Sequence, residues 1–504
     1  MNILFLFAPK FKEFGVDVAK KLMSDHPDLS LVGLCTGGPA VVDYIKNNLD
    51  IESDRVCDLE LMEKQWMLLP SKKIDYEYLK TIDEKYGSGT VGEVITADRR
   101  IGIGSVRGGI ARPDSVGDEV SANNVDPILK YVQGLFSFIE DVFGRYGLSG
   151  VFCYAVAGAP AVALGKVCKL KGGVFTRLTA TRIGNRFVVD TDYKGLLEPI
   201  STEFNRSQSK ELEWLADAES FVDRFRDSPV LPGYAVRNHA IAKKNKLPEL
   251  FKSTALYIAA IVAKPILPSR IKYRVSVLGL RRKLFEFYSE CRKLTQRRLI
   301  GWKKLPEAKY VYYPLHVDPE ASTMVLSPMH TDQISIIESV SKSLPGDTLL
   351  VVKEHLPMLG KRPKGFYEAL QKLPRVLLVR PDLNGHEIIN ASQGVVVITG
   401  TSALEALLLG KKALVIGDSP YLPIGNRLLH EPSLHKLPHA IQALCNSDSL
   451  DDASLIRYIA IVLEQSFELN ASLMWGSYLS HSESERLNAV SELAQGIYSR
   501  VANG

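Results

Sequence analysis

The sequence contains two stretches in which short apolar runs alternate with segments of helical periodicity, and this rhythm limits the fold more than any other feature. The first stretch covers residues 2–175 and the second covers residues 310–417. Strands that alternate with helices at this spacing are typical of parallel sheets with crossover helices. The sequence therefore predicts an α/β protein with two Rossmann-like lobes, each built around its own sheet.

The part between these stretches is helical in pattern and lacks convincing pairs of strands. We therefore expect residues 1–204 to form an N-terminal Rossmann-like lobe and residues 205–305 to form a basic helical connector or insertion. Residues 306–480 are predicted to form a C-terminal Rossmann-like lobe, followed by a C-terminal helix at 481–504. Open parallel sheets bind ligands beyond the carboxyl ends of their strands. The residues directly after each strand are therefore the candidates for function.

Composition and motifs exclude several classes of protein. Apolar residues make up 46% and charged residues 24%, which is typical of a globular chain and not of a disordered or fibrous one. The six cysteines form no C-x-x-C pair, which argues against a disulfide framework or a zinc cage and favours a reducing, cytoplasmic location. Residues 1–8 are apolar but too short for a leader or a spanning helix, so they are predicted to form a strand.

Cofactor signatures are equally scarce. The pair Gly102-x-Gly104 lacks the strand, helix and spaced acid of a dinucleotide site, and the sequence has no G-x-x-x-x-G-K-[ST] loop. It also has no Asp-x-Asp metal motif and no clustered His or Cys ligands. We therefore expect neither a bound cofactor nor a required metal.

Positive charge is concentrated in one segment. Residues 264–304 contain 13 Lys or Arg against two Glu, whereas the net charge of the whole chain is +5. The segment follows the apolar run 255–263, and basic residues beside apolar ones are typical of a helix on an anionic membrane. An interdomain helix whose Arg residues bind the other lobe or an anionic glycan is an equal alternative. No nucleic acid partner is expected.

A charged motif follows the predicted strand that ends at Lys353. It includes Glu354, His355 and Pro357, and Arg362 comes shortly after it. Lys and Arg can meet a phosphate as charges, and His can donate a hydrogen bond to a leaving phosphate oxygen. A capped turn with solvated charges is the structural alternative.

A second candidate motif follows the predicted strand 394–399. Gly400, Thr401 and Ser402 open a helix, where free N–H groups and the helix dipole favour an anion. Glu405 lies one turn further, where its carboxylate could accept hydrogen bonds from ribose hydroxyls. The spacing equally suits an ordinary capping box.

Other candidate residues lie in loops that we expect to face the cleft between the lobes. His316 and Glu320 follow the first strand of the C-terminal lobe, in a loop with two prolines. In the N-terminal lobe, Asp98 follows the strand-like run 93–96 and could accept a hydroxyl proton, with Asp114 as a second candidate for the base. A structural role is at least as common for such residues.

Taken in order, these motifs resemble the capsule polysaccharide biosynthesis family. The similarity is carried by Tyr-Pro-Leu-His-x-x-Pro-Glu-x-Ser from Tyr313, Lys-Glu-His-x-Pro from Lys353, and Ile-Thr-Gly-Thr-Ser-Ala-Leu-Glu-Ala from Ile398. The family contains bacterial surface-carbohydrate glycosyltransferases, including Kdo transferases and relatives that use CMP-activated sugars. The resemblance implies a GT-B-type transferase with a nucleotide-sugar donor, possible CMP linkage, and a glycan or lipid-linked glycan acceptor at the inner face of the plasma membrane. It also implies that the N-terminal lobe holds the acceptor and the C-terminal lobe holds the donor.

The resemblance also implies roles for particular residues. His355 and Pro357 match the motif that holds the donor phosphate, although Leu356 separates them where the family commonly has an adjacent His-Pro. Thr401 and Ser402 match the hydroxyl motif on the other side of the phosphate, and Glu405 matches its following acid. In the N-terminal lobe, Arg182 and Asn185 stand where such proteins often carry an Arg and an Asn that face the cleft.

Two other functions stay open at this stage. A nucleotide-sugar 2-epimerase has a similar fold and anion site, but it usually carries Ser-Gly-Gly before a Glu pair, which Gly400-Thr401-Ser402 with the single Glu405 fits less well. A non-catalytic glycan-binding protein is the second alternative.

Overall fold

The computed structural model describes residues 1–67, 72–99, 101, 125–207, 212–229, 244–266, 277–299, 301–446 and 451–504. These residues divide into two compact units. The first unit comprises the described residues of 1–97, 124–220 and 456–504, and the second comprises those of 98–123 and 221–455. The predicted Asp114 lies outside the described residues.

The first unit is built on a seven-stranded sheet. Its strands are β1 (Asn2–Phe7), β2 (Ser30–Cys35), β3 (Val56–Asp58), β4 (Gly150–Cys153), β5 (Val174–Ala180), β6 (Arg186–Asp190) and β13 (Phe467–Glu468). Their order is β13-β6-β5-β4-β1-β2-β3. The five strands from β5 to β3 in this order are parallel, and β6 and β13 are antiparallel to their neighbours.

Helices cover this sheet, and the domain boundaries fall within two of them, α9 and α18. The helices before residue 230 are α1 (Lys12–Asp25), α2 (Pro39–Asn48), α3 (Leu59–Met67), α4 (Tyr76–Tyr86), α5 (Thr90–Ala97), α6 (Val125–Tyr146), α7 (Ala159–Leu170), α8 (Glu198–Arg206) and α9 (Leu215–Asp227). One core joins β1 and α1 to buried residues far along the chain, among them Leu493 and Ile497.

The second unit contains a six-stranded sheet that is parallel throughout. Its strands are β7 (Tyr310–Pro314), β8 (Leu349–Lys353), β9 (Val376–Val379), β10 (Gly394–Val397), β11 (Ala413–Val415) and β12 (Leu428–His430). They are ordered β12-β11-β10-β7-β8-β9. The first strand of this unit, β7, lies inside the sheet between β10 and β8, and the direction in which the chain adds strands changes there. Such a switch point is where open α/β sheets bind ligands.

Helices also surround the second sheet. They are α10 (Leu247–Val262), α11 (Val277–Leu299), α12 (Ala321–Leu326), α13 (Gln333–Ser343), α14 (Phe366–Gln371), α15 (Gly385–Ala391), α16 (Ser402–Leu408) and α17 (Leu437–Cys445). The chain then returns through α18 (Ala453–Gln465) and α19 (Glu483–Asn503). No helix among the described residues is long and apolar enough to cross a membrane.

The prediction of two α/β lobes around largely parallel sheets is confirmed. The structure divides the chain differently from the predicted boundaries, because 456–504 belongs to the first unit and not to the C-terminal lobe or a separate helix. The reason is apolar packing, since α19 buries one face against α1 and the sheet of that unit.

One local prediction is wrong. Residues 93–96 were expected to form a strand, but they lie in α5, whose residues Thr90, Val94 and Ala97 are buried at helical spacing. Near the C-terminus, α18 ends at Gln465, where Arg186 of β6 donates hydrogen bonds to Ser466 and the chain enters β13.

Candidate functional site

Three loops of the second unit meet at one edge of its sheet. Because β7 pairs in parallel with both β8 and β10, the carboxyl ends of these strands lie side by side. His316 follows β7, Lys353 ends β8 and precedes His355, and Gly400 follows β10. The topology therefore brings together the polar residues that the sequence placed after three separate strands.

His316 is held at the centre of this edge. Its backbone N–H donates to Oε1 of Gln333 at 2.8 Å, and its carbonyl oxygen accepts hydrogen bonds from Gln333 Nε2 at 3.2 Å and Arg362 Nη2 at 2.6 Å. Its imidazole Nε2 accepts from the N–H of Thr399 at 3.4 Å. The ring is therefore fixed between the β7 and β10 loops.

The imidazole of His316 is neutral. Burial lowers its pKa to about 3, and the nearby charges of Arg362 and His355 act in the same direction. A neutral ring that accepts at Nε2 carries its proton on Nδ1. Nδ1 is buried and has no hydrogen-bond partner among the described residues. His316 therefore offers one buried N–H donor for which an anionic oxygen is a suitable acceptor.

Glu354 and Arg362 form a buried ion pair behind the site. Arg362 Nε and Nη2 donate to the two oxygens of Glu354 at 2.8 and 3.0 Å, and the hydroxyl of Tyr367 donates to the same carboxylate at 2.7 Å. The carboxylate also accepts the backbone N–H of His355 at 2.6 Å. Both charges are fully buried. Glu354 and Arg362 were predicted to bind the donor, but their charged groups bind each other and other protein groups. They are therefore positioning residues for His316 and His355.

The loop after β8 is also held from outside by α11. The N–H of Gly360 donates to Gln296 Oε1 at 2.8 Å, and Arg292 Nη1 donates to the carbonyl oxygen of Arg362 at 2.7 Å. Gly360 has a φ of +85°, and a Cβ there would overlap the carbonyl oxygen of Ser289 on α11. Only glycine combines this conformation with this approach. Part of the basic segment thus supports the His355 loop.

His355, Pro357 and Lys353 lie at the surface of the site and are partly exposed. His355 begins a short 3-10 turn, Leu356–Met358, in which Leu356 is buried. The residue that interrupts the family's adjacent His-Pro therefore packs inward, while its two neighbours stay near the surface. His355 is close enough to His316 for its charge to lower the pKa of that residue.

Gly400 allows the β10 loop to approach His316. A Cβ at this position would lie 3.1 Å from His316 Nε2. Thr401 precedes α16 but makes no capping hydrogen bond through its side chain. In the described part of the chain, no backbone carbonyl accepts the N–H groups of Gly400, Thr401 or Ser402. The capping-box alternative therefore finds no support in the geometry.

Glu405 faces a small polar cluster beside this loop. Its Oε2 lies 3.9 Å from Nε2 of His386 on α15, and its side chain is 19% exposed. Burial raises the pKa of Glu405 to about 7, although the charge of Lys353 pulls it down. Burial correspondingly lowers the pKa of Lys353, against the opposite effect of Glu405. The carboxyl group is therefore poised between its two protonation states near neutral pH.

We expect Glu405→Gln to remove a pH dependence of stability. A carboxyl whose pKa rises from 4.5 to about 7 on folding binds its proton more tightly in the folded state, so its contribution to stability declines as pH rises through this window. Between about pH 5 and pH 8 the unfolding free energy of the wild type should fall by about 1 to 3 kcal/mol relative to Glu405→Gln. Urea unfolding of both proteins at the two pH values measures this difference. Parallel curves would mean that Glu405 stays ionised throughout.

The other predicted residues lie elsewhere. Glu320 precedes α12 and its carboxylate accepts a hydrogen bond from Ser322 at 2.9 Å. In the first unit, Arg182 and Asn185 are exposed in the hairpin between β5 and β6, where Arg182 has a φ of +69°. Asp98 is buried directly after α5, so the strand that suggested its role is absent there. Its function as a base stays a prediction.

Sequence reasoning missed three residues that shape the site. Gln333 forms hydrogen bonds with the backbone of His316, Tyr367 donates a hydrogen bond to the carboxylate of Glu354, and the ring of His386 lies close to the carboxylate of Glu405. No local sequence pattern pairs Gln333 or Tyr367 with these partners. No group of three or more His, Cys, Asp or Glu side chains in the described ranges is placed to hold a metal ion.

The part of the chain that contains these three loops matches a known protein family. Residues 254–427 match the family described as capsule polysaccharide biosynthesis protein, which confirms the resemblance predicted from the motifs. Among curated proteins, the chain is 29% identical over 119 residues to Protein FixF of Sinorhizobium fredii. That match covers 22% of this chain and 27% of the relative, so the chain spans well under two thirds of its length.

Similar solved structures are more distant in sequence. The KpsC beta Kdo 2,4 transferase of Thermosulfurimonas dismutans is 14% identical, covering 68% of this chain and 87% of that chain, with a TM-score of 0.37. UDP-GlcNAc 2-epimerase of Methanocaldococcus jannaschii is 10% identical, covering 92% and 100% of the two chains, with a TM-score of 0.26. At these values the likeness does not extend beyond the α/β class.

Proposed function

We propose that this protein is a glycosyltransferase of bacterial capsule or surface polysaccharide synthesis that uses a nucleotide-sugar donor. The observation that carries the proposal is the convergence of His316, His355, Lys353 and the Gly400 loop at the switch point of a parallel sheet. The match of residues 254–427 to the capsule polysaccharide biosynthesis family supports it, since the match spans all three loops.

In this proposal the donor phosphate binds between the β7, β8 and β10 loops. The N–H groups around Thr401 donate hydrogen bonds to phosphate oxygens, and Lys353 supplies positive charge, while the buried ring of His316 fixes the β10 loop through the N–H of Thr399. Fixed donors in a partly buried site stabilise an anion strongly because they need no reorganisation when charge develops. Glu405, partly exposed beside Lys353, accepts hydrogen bonds from the ribose hydroxyls.

The transfer itself breaks the bond between the anomeric carbon and the phosphate oxygen. The acceptor hydroxyl attacks that carbon, its proton passes to a base, and the nucleotide leaves with the bonding electron pair. His355 donates a hydrogen bond or a proton to the departing phosphate oxygen. The sequence-based candidate for the base is Asp98. The proposal retains the expectation that no bound metal or cofactor is required, because protein groups meet the charge of the leaving phosphate.

A nucleotide panel tests this assignment. We expect one of CMP, UDP, GDP or dTDP to raise the melting temperature, because a ligand at a hundred times its Kd stabilises the folded state by about 2.7 kcal/mol. CMP is the expected nucleotide if the donor is a CMP-linked sugar such as CMP-Kdo. The corresponding nucleotide-sugar should then be consumed only when a glycan acceptor is present.

The same assay separates the alternatives. Conversion of a UDP-sugar without any acceptor would identify an epimerase and contradict the transferase. Glycan binding with no response to any nucleotide would instead identify a non-catalytic carbohydrate-binding protein.

A further inference from the structure

The helix α10 carries an apolar surface that the other described residues of the second unit leave exposed. Its 16 residues include only two charged ones, Glu249 and Lys252. A helix that is apolar on all sides is normally buried on all sides. Here the exposed fractions are 66% for Phe251, 44% for Ile258 and 77% for Val262.

One side of α10 is occupied by α11. Thr254 is buried against it, and Phe251 touches Phe287 only at the border of this contact, with ring centroids 6.3 Å apart, while most of its side chain stays exposed. Lys293 of α11 donates to the carbonyl oxygen of Lys244 at 3.1 Å, just before α10 begins. The helix is therefore anchored along its inner face.

The outer side of α10 forms a continuous apolar line. Phe251, Ala255, Ile258 and Val262 follow the spacing i, i+4, i+7 and i+11, which places them on one face of a helix. Leu256 is also exposed beside this line. Exposed apolar side chains that are contiguous mark a contact surface, whereas scattered ones do not.

Charge identifies the kind of partner. The segment 264–304 that follows α10 carries 13 basic residues against two acidic ones, and Lys252 and Lys264 lie on α10 and directly after it. Two copies of this surface would repel each other, whereas an anionic surface attracts it. A helix of 16 residues is too short to cross a bilayer core, which needs about 20. Such a helix lies in the headgroup region instead.

We propose that α10 docks the protein on an anionic membrane, with Phe251, Ile258 and Val262 inserted among the lipid headgroups. The sequence placed membrane contact on 264–304, but the described part of α11 is engaged within its own unit, where Arg292 and Gln296 hold the His355 loop. The inserted element is therefore α10, and the basic segment supplies the electrostatic attraction. The inference builds on the proposed function only because a lipid-linked acceptor would make membrane docking useful.

Vesicle co-sedimentation of the full chain tests the proposal. We expect binding to phosphatidylcholine vesicles that contain phosphatidylglycerol, weak or no binding to phosphatidylcholine alone, and release by salt. Ile258→Glu with Val262→Glu should weaken binding about a hundredfold or more, since each of the two inserted apolar side chains contributes at least about tenfold. Lys252→Glu with Lys264→Glu should reduce the preference for anionic vesicles.

The matched control changes two equally exposed leucines of the first unit, Leu479→Glu with Leu487→Glu, which are 69% and 61% exposed. It should bind vesicles like the wild type. Absence of wild-type binding to either vesicle, or equal binding by the α10 variant, would overturn the proposal. A wild-type dimer that dissociates in the α10 variant would also overturn the proposal, because a second copy of the chain would then cover this face. Nucleotide binding, measured in parallel on the same variant, should be unchanged, which separates failure of docking from failure of the proposed function.

Discussion

Replacing His355 by alanine is expected to lower turnover by about a hundredfold or more, the lower range of general-acid contributions. The reason is its position, since it follows β8 beside His316 and opens a surface turn whose backbone is fixed by the carboxylate of Glu354. Loss of its imidazole removes the group that assists the departing phosphate. Affinity for the free nucleotide should change far less, because Lys353 and the N–H groups of the Gly400 loop remain.

Steady-state kinetics measures this effect with the nucleotide-sugar that corresponds to the nucleotide identified in the panel. Calorimetry measures the affinity for the nucleotide itself. His439→Ala is a suitable control, because His439 is an exposed histidine on α17 of the same unit. It should retain wild-type turnover. Full turnover of His355→Ala would show that His355 is structural and that departure of the nucleotide is assisted by another group.

The second unit was largely predictable from the sequence. The predicted strand that ends at Lys353 and the predicted strand at 394–399 correspond to β8 and β10, because each is a short apolar run between turn residues. The strand β12 was missed, since three residues are too few to show a pattern. In the first unit, Val94 and its β-branched neighbours favour a strand by propensity, but burial at helical spacing makes this segment the helix α5.

Long-range pairings could not be predicted in the same way. The return of α19 to the first core depends on its packing against α1, which lies more than 400 residues earlier in the chain, and no local periodicity encodes such a contact. The motifs likewise identified Glu354 and Arg362 as charged residues near a phosphate site. Their mutual pairing depends on how the loop after β8 folds back, and this converts two expected ligand contacts into an internal support.

This support leads to the largest expected effect on stability. Arg362→Ala should destabilise the second unit by about 3 to 5 kcal/mol, because it leaves the carboxylate of Glu354 buried without its cation. The hydrogen bonds from Tyr367 and the N–H of His355 cannot replace that charge. Urea unfolding followed by tryptophan fluorescence measures this loss, and Trp302, which packs edge-on against Tyr367 at 5.3 Å, is one of the four tryptophans that contribute to the signal.

The double variant Glu354→Gln with Arg362→Met distinguishes support of the fold from support of the site. Replacing both members of a buried pair by neutral groups of similar volume is often nearly neutral for stability, so this variant should unfold close to the wild type. Its turnover should nevertheless fall, because Arg362 no longer donates to the carbonyl oxygen of His316 and the charged carboxylate no longer holds the N–H of His355. Wild-type turnover in a stable double variant would show that the histidines are positioned without the pair. Lost stability together with lost turnover would assign the pair to the fold alone.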